Sequence, residues 1–259
     1  MQDFADTKVV VTGASSGLGR AIAIEVARRG AALVGINFVS NESGAMETAR
    51  EASAFGAQTM LIQGDVSDDS TCRAISKTMA DNGGLDVLFN NAGRTKFVAG
   101  SDLDGCSLAD FLQIYAVNVV GAYQMARATR TLLEASWRGG AVVNISSMAG
   151  MTGAGSSIPY SASKGALNTL TLSLARVLAP KIRVNAVCPA FVDTPWFRKA
   201  LPVQTVDGLR AKFSADSPLR TLSRPEDVAA AAAFLASPGA RHITGETLLV
   251  DAGAHLGAG

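Results

Sequence analysis

The run Val9-Val10-Val11-Thr12-Gly13-Ala14-Ser15-Ser16-Gly17-Leu18-Gly19-Arg20 joins an apolar, β-like stretch to a helical pattern through a glycine-rich turn. Consecutive β-branched residues suit an inner strand of a parallel sheet, which is covered on both faces. The glycines let the chain turn sharply and let its backbone approach a phosphate. The helix that follows offers free N–H groups and a positive dipole end to an anion. The spacing is G-x-x-x-G-x-G and not the better-known G-x-G-x-x-G. Two readings stay open from this turn alone: a pyrophosphate cradle, or a tight strand-to-helix turn with no ligand.

Outward from this turn, short apolar runs alternate with longer helical patterns. Strands are expected at 8–12, 32–38, 58–63, 86–90, 141–146, 183–187 and 246–250. Helices are expected at 17–29, 42–55, 70–81, 108–136, 159–178 and 225–236. The segments VVV, VLF, AVVNI and VNAV are continuous rather than alternating, as doubly covered strands require. The expectation is an α/β fold: a doubly wound, Rossmann-type parallel sheet of seven strands with helices on both faces. No repeat, low-complexity tract or linker interrupts 1–259, so one domain is expected. The least regular stretch is 190–222, rich in proline and charge. It is expected to hold short helices in a mobile segment and to lie over the substrate as a lid. Trp196, Phe197, Leu201 and Phe213 offer apolar surface there, as lid or as core, and suggest a substrate with an apolar portion.

The chain has 259 residues, 48% of them hydrophobic and 17% charged, enough apolar surface for a core and too little charge for disorder. A net charge of +1 gives no sign of a nucleic-acid partner. Cys72, Cys106 and Cys188 are widely spaced, and neither His242 nor His255 lies near one in sequence. Reduced cysteines in a cytoplasmic protein are expected, with no metal site. No run is long enough to span a membrane, and the N-terminus has no signal-peptide pattern.

About twenty residues past the glycine loop, dinucleotide folds often place an acid on the adenosine ribose. Here the second strand ends Gly35-Ile36-Asn37-Phe38. The neutral amide of Asn37 does not repel a 2′-phosphate, although no arginine follows and Ser16 is not basic. The sequence therefore leans to NADP(H) within NAD(P)(H). Further on, Tyr160-Ser161-Ala162-Ser163-Lys164 places a phenol and an ammonium at i and i+4, on one helical face. A nearby cation favours a phenolate. Such a pair arises easily by chance, and a solvated helix face is its plain alternative. Ser147, thirteen residues earlier at the end of the fifth strand, adds weight, because doubly wound sheets bind ligands at strand carboxyl ends.

Taken together, Thr12 to Gly19, Asp65-Val66, Asn90-Asn91-Ala92-Gly93, Asn118, Ser146-Ser147, Tyr160 to Lys164 and Pro189 to Thr194 resemble the short-chain dehydrogenase/reductase family in order and spacing, over nearly the whole chain. The resemblance implies hydride transfer between NAD(P)(H) and a carbonyl or secondary alcohol. It implies Tyr160 as general acid/base. Lys164 would bind the nicotinamide ribose and depress the Tyr160 pKa. Ser147, rather than Ser146, would bond the substrate oxygen, and Asn118 would support a proton-relaying water. For the cofactor it implies Gly13, Ser15, Ser16, Gly17, Leu18 and Gly19 at the phosphates, with Asn37, Asp65 and Val66 toward the adenosine. Asn91, Ala92 and Gly93 would line the channel, and Pro189, Val192 and Thr194 the nicotinamide end, with Tyr160 and Lys164. Structural roles stay open for Asn91, Asn118 and Ser146, and Asp65 could simply begin a turn.

The family's homotetramer is expected as well. Two departures stand out: Ala190 where Pro-Gly is usual, and Ala252 in Asp251-Ala252-Gly253 where Asp-Gly-Gly is common. A sugar, polyol or small-ketone dehydrogenase leads within the class, with a 3-oxoacyl-thioester (acyl-carrier-protein) reductase as alternative. Arg198, Lys199, Arg210 and Lys212 would be the basic residues for a carrier, or a solvated face. A nucleotide-binding regulator with little turnover is the alternative from another class.

Overall fold

A computed structural model of the protein describes residues 2–198 and 200–257. Lys199 lies outside the described residues. The strands are β1 (Lys8–Val11), β2 (Leu33–Phe38), β3 (Gln58–Gln63), β4 (Val87–Asn90), β5 (Gly140–Ile145), β6 (Ile182–Pro189) and β7 (Thr247–Val250). They form one seven-stranded sheet in the order β3-β2-β1-β4-β5-β6-β7, with every pairing parallel. The chain reverses its direction of winding between β1 and β4, where ligand crevices form in such sheets.

Period-two alternation sorts the strand side chains into two cores. Val9, Val11, Val34 and Ile36 pack with α1 (Gly17–Arg28), α2 (Glu42–Ser53) and α10 (Pro225–Ala236). Val10, Leu88, Val142 and Val184 face the other way. They meet α3 (Asp69–Asp81), α5 (Ala122–Glu134) and α7 (Ile158–Leu178). The two edge strands are less buried than the centre, β3 most visibly.

Polar groups fix the helix ends. Asn41 Oδ1 accepts from Gly44 N at 3.3 Å at the start of α2. Ser107 and Asp110 form a reciprocal capping box at the start of α4 (Leu108–Tyr115). At the far end of α10 the part-buried Arg183 guanidinium reaches the carbonyls of Leu235, Ala236, Ser237 and Ile243, at 2.7–3.3 Å. This satisfies carbonyls that the helix leaves open.

The single helix expected at 108–136 is interrupted. After α4 the chain runs through a π-helical stretch, Ala116–Gly121, before α5. Period and propensity do not signal a π-turn; long-range hydrogen bonds of Asn118, described below, hold it. A short α6 (Ala149–Thr152) follows β5, and the irregular stretch contains α8 (Pro195–Arg198) and α9 (Val203–Asp216), the latter longer than expected. Among the described residues no helix is long and apolar enough to cross a membrane, and no His/Cys/Asp/Glu cluster could hold a metal.

Candidate active site

The carboxyl ends of β1, β4, β5 and β6 surround a cleft of about 390 Å³. One wall is the glycine loop and the turn after β4. Thr12 Oγ1 accepts from the amides of Asn91 and Ala92, both at 2.9 Å, and Asn91 Nδ2 donates to the carbonyls of Thr12 and Gly13. The Asn91 side chain thus ties the two loops together. Gly13 has φ +64°, and a Cβ there would lie 3.0 Å from Ala92 Cα. At Gly19 a Cβ would come within 2.4 Å of Asn91 Nδ2. Only glycine allows this close approach. Ser16 caps α1 without a side-chain bond, and the first turn carries no acid. The wall therefore presents helix amides and glycine backbone, which suits a pyrophosphate. The residues present fit a dinucleotide.

The facing wall carries Ser146, Ser147, Tyr160 and Lys164. Ser157 caps α7, accepting from Tyr160 N at 3.4 Å, and Pro159 pre-sets its first turn. This puts Tyr160 and Lys164 on the inner face of α7. Lys164 is buried; its Nζ donates to the Ile145 carbonyl at 2.7 Å and lies 5.6 Å from the Tyr160 ring centre. Ser146 Oγ donates to the Lys164 carbonyl at 3.1 Å, which anchors the helix. Ser147 Oγ accepts from Ala149 N at 3.1 Å.

Burial pushes the Tyr160 phenol up to about 12, partly offset by the Ser147 hydroxyl. Burial pulls the Lys164 ammonium down to about 8. Lys164 is not among the groups that set the Tyr160 shift in this geometry. Desolvation favours the neutral form of both groups. Cys188 on β6, also buried, lies beside the pair, its thiol raised by burial.

Of the residues singled out from the sequence, Gly13, Ser16, Gly17, Leu18, Gly19, Asn91, Ala92 and Gly93 line the cleft. So do Ser147, Tyr160, Lys164, Pro189, Val192 and Thr194. Ser15, Asn37, Asp65, Val66 and Asn118 are not among its lining residues. Asn37 is buried, with its amide in use: Oδ1 accepts from Gly13 N, and Nδ2 donates to the Ile62 and Gly64 carbonyls. A carboxylate could not donate to those carbonyls. Asp65 Oδ1 accepts from the amide and hydroxyl of Ser67, opening the turn into α3. Val66 packs under the π-helical stretch, against Gly121.

Asn118 is buried in that stretch. Its Oδ1 accepts from Arg94 N at 2.7 Å, and its Nδ2 donates to Arg94 O and to Ser163 Oγ at 2.9–3.0 Å. It braces the β4 turn against the helix that carries Tyr160. Sequence reasoning missed Ile145, Ser163 and Asp193, because a strand-end carbonyl, a helix hydroxyl and a loop carboxylate carry no local signature. Of the aromatic residues at 190–222, Trp196 and Phe197 reach the cleft. Phe197 also packs on Phe97 and Phe191, and Phe191 on Phe213. Phe213 thus serves as packing.

A crevice at the sheet's switch point, with a glycine-rich turn and helix N-terminus on one side and a buried tyrosine and lysine on the other, suits a dinucleotide-dependent oxidoreductase. Known proteins narrow the class. A family model described as Enoyl-(Acyl carrier protein) reductase matches residues 13–255. L-rhamnose 1-dehydrogenase (NAD(P)(+)) from Azotobacter vinelandii is 36% identical over 96% of each chain. A Streptomyces violaceoruber protein, provisionally named a granaticin polyketide synthase ketoacyl reductase, is 37% identical over 95% of each. The crystal structure of acetoin dehydrogenase YohF from Salmonella typhimurium superposes with a TM-score of 0.84 at 31% identity, over 97% of each chain. The chain belongs to the short-chain dehydrogenase/reductase family, and it is an oxidoreductase using a nicotinamide cofactor on CH–OH or C=O groups.

Proposed function

We propose that the protein interconverts a carbonyl and a secondary alcohol, with Tyr160 as general acid/base. The observation that carries this is the single wall formed by Ser147, Tyr160 and Lys164, facing the glycine cradle. When bound, the nicotinamide gives or takes the hydride. Ser147 holds the substrate oxygen and Tyr160 exchanges its proton. Lys164 binds the nicotinamide ribose and supplies positive charge beneath the phenol once protonated. Asn118 keeps the Tyr160 helix and the β4 turn in register and supports the relaying water. Glycine-loop amides hold the pyrophosphate, Asn91, Ala92 and Gly93 line the channel, and Pro189, Val192 and Thr194 flank the nicotinamide end. Asn37, Asp65 and Val66 act on the adenosine end by shaping backbone.

The cofactor preference we assign is NADP(H), because Asn37 brings no negative charge to the end of β2. The chain works as one domain, with α8 and α9 as its lid, in a cytoplasmic homotetramer. Trp196 and Phe197 favour a substrate with an apolar portion. A 3-oxoacyl thioester is the second reading, favoured by the Streptomyces relative. Against a carrier-docking patch, Arg198 and Arg210 are already paired with Asp193.

The test is Tyr160→Phe, assayed by nicotinamide absorbance across ketones, polyols, sugars and 3-oxoacyl thioesters. Turnover should fall about 10²–10⁴-fold with cofactor affinity retained. Unchanged turnover on the substrate that the parent prefers would sink the assignment. A preference for NADH by KM would overturn the NADP(H) lean.

A further inference from the structure

Asp193 lies between Val192 and Thr194, and its side chain is four-fifths buried although its partners are not. Oδ2 accepts from Arg198 Nη2 at 2.8 Å and Oδ1 from Arg198 Nε at 3.2 Å, a two-point grip on α8. The same Oδ2 lies 3.3 Å from Arg210 Nη2 on α9, and Arg210 also meets Asp207. One carboxylate therefore joins two helices that are otherwise separate in sequence.

What these helices cover gives the join its meaning. Thr194 packs on the glycine loop, its Cβ 3.3 Å from where a Gly17 Cβ would stand. The indole of Trp196 reaches across to Gly93, Cη2 lying 3.7 Å from the Cβ position there. The segment that follows β6 thus bridges both glycine turns of the cleft. Thr194 and Trp196 line the same cleft as the glycine loop, so a dinucleotide held there would meet this bridge. The start of the segment is pinned by the Val192–Ser223 bridge, and α8 is seated by Phe197 on Phe97 and Phe191. Those contacts are apolar or backbone, and salt does not weaken them.

We propose that Asp193 is a positioning residue, an ionic clasp that ties α8, which lines the cleft, to α9 and so slows cofactor release. The proposal rests on the reading above that Val192 and Thr194 flank the nicotinamide end. Half-exposed pairs of this kind are modest and screened by salt. The clasp therefore sets a rate rather than a fold.

The chain has two tryptophans, Trp137 and Trp196. In a Trp137→Phe background the emission of Trp196 alone reports the state of the bridge. Release of NADPH and of NADH is followed by stopped flow as this emission recovers. Asp193→Asn should release the cofactor about three- to tenfold faster at low salt. Raising NaCl to about 1 M, where the Debye length is about 3 Å, should speed the parent toward the Asn variant's rate. The Asn variant should have the shallower salt slope. Asp193→Glu should restore part of the slow release. Arg198→Gln, a change on an exposed helix, should give an intermediate rate and guards against a variant that folds poorly. Equal release rates, or equal salt slopes, in the parent and the Asn variant overturn the clasp alone. Absence of any NADPH or NADH effect on Trp196 in the parent overturns the reading of the cleft together with the clasp.

Discussion

A buried lysine whose ammonium is pulled down to about 8 works against folding below that pH. Between about 8 and 10.4 the unfolded chain keeps a proton that folded Lys164 has lost, so stability should rise with pH across that window. Tyr160 acts in the opposite sense at higher pH. Its phenol, raised to about 12, keeps its proton while the unfolded tyrosine loses it above about 10, so stability then falls. Lys164→Met should abolish turnover yet raise unfolding stability at pH 7 by about 2 kcal/mol, after loss of the bond to Ile145. Urea unfolding at pH 7 and pH 10 checks this; a pH slope that survives in the variant would assign it to another group. The two departures from the family pattern also separate at this scale. Ala190 is not in the left-handed region and costs nothing there, whereas Ala252 takes φ +55°. Ala252→Gly should therefore stabilise by about 0.5–1 kcal/mol, read from denaturant midpoints at unchanged slope.

The helix ends are where single side chains control whole elements. Arg183→Met would leave carbonyls at the end of α10 without their charged donor and should cost about 2–3 kcal/mol of unfolding free energy. Arg241→Met, on an exposed residue nearby, should change it by less than about 0.5 kcal/mol. Equal losses in the two variants would deny Arg183 its capping role. Every strand was legible from its apolar run, and most helices from their period, because burial on one or two faces dictates those patterns. The π-helical stretch was not, since the bonds of Asn118 to Arg94 and Ser163 come from sequence-distant residues. The glycine turn and the i, i+4 placement of Tyr160 and Lys164 left local marks, but chance produces such marks easily, and their weight came from Ser147 and Asn118 in order with them. The Lys164–Ile145 bond and the grip of Asp193 on two helices left none, because a carbonyl or a loop carboxylate looks the same wherever the fold sends it.

At the scale of the whole molecule, the helices that flank the site leave apolar side chains uncovered. Leu112 on α4, Tyr123 on α5 and Leu172 and Val177 on α7 are all exposed. Such surface is what the proposed tetramer would bury. Sedimentation should show four chains, and Leu112→Glu should shift the mass to smaller species with the circular dichroism unchanged; a parent that sediments as a monomer would refute the assembly. The strand order carries one more consequence, for the chain as the ribosome delivers it. β3, β2 and β1 can pair once Gln63 has emerged, leaving the free side of β1 as a sticky edge. β4 then adds to that free side of β1, and β5, β6 and β7 each add to the edge exposed by the strand just synthesised. No completed pairing has to reopen, so folding can keep pace with translation. Protease protection in chains arrested at successive lengths should spread outward from β1 in that order, and the cleft should close only after Thr194 has left the exit tunnel.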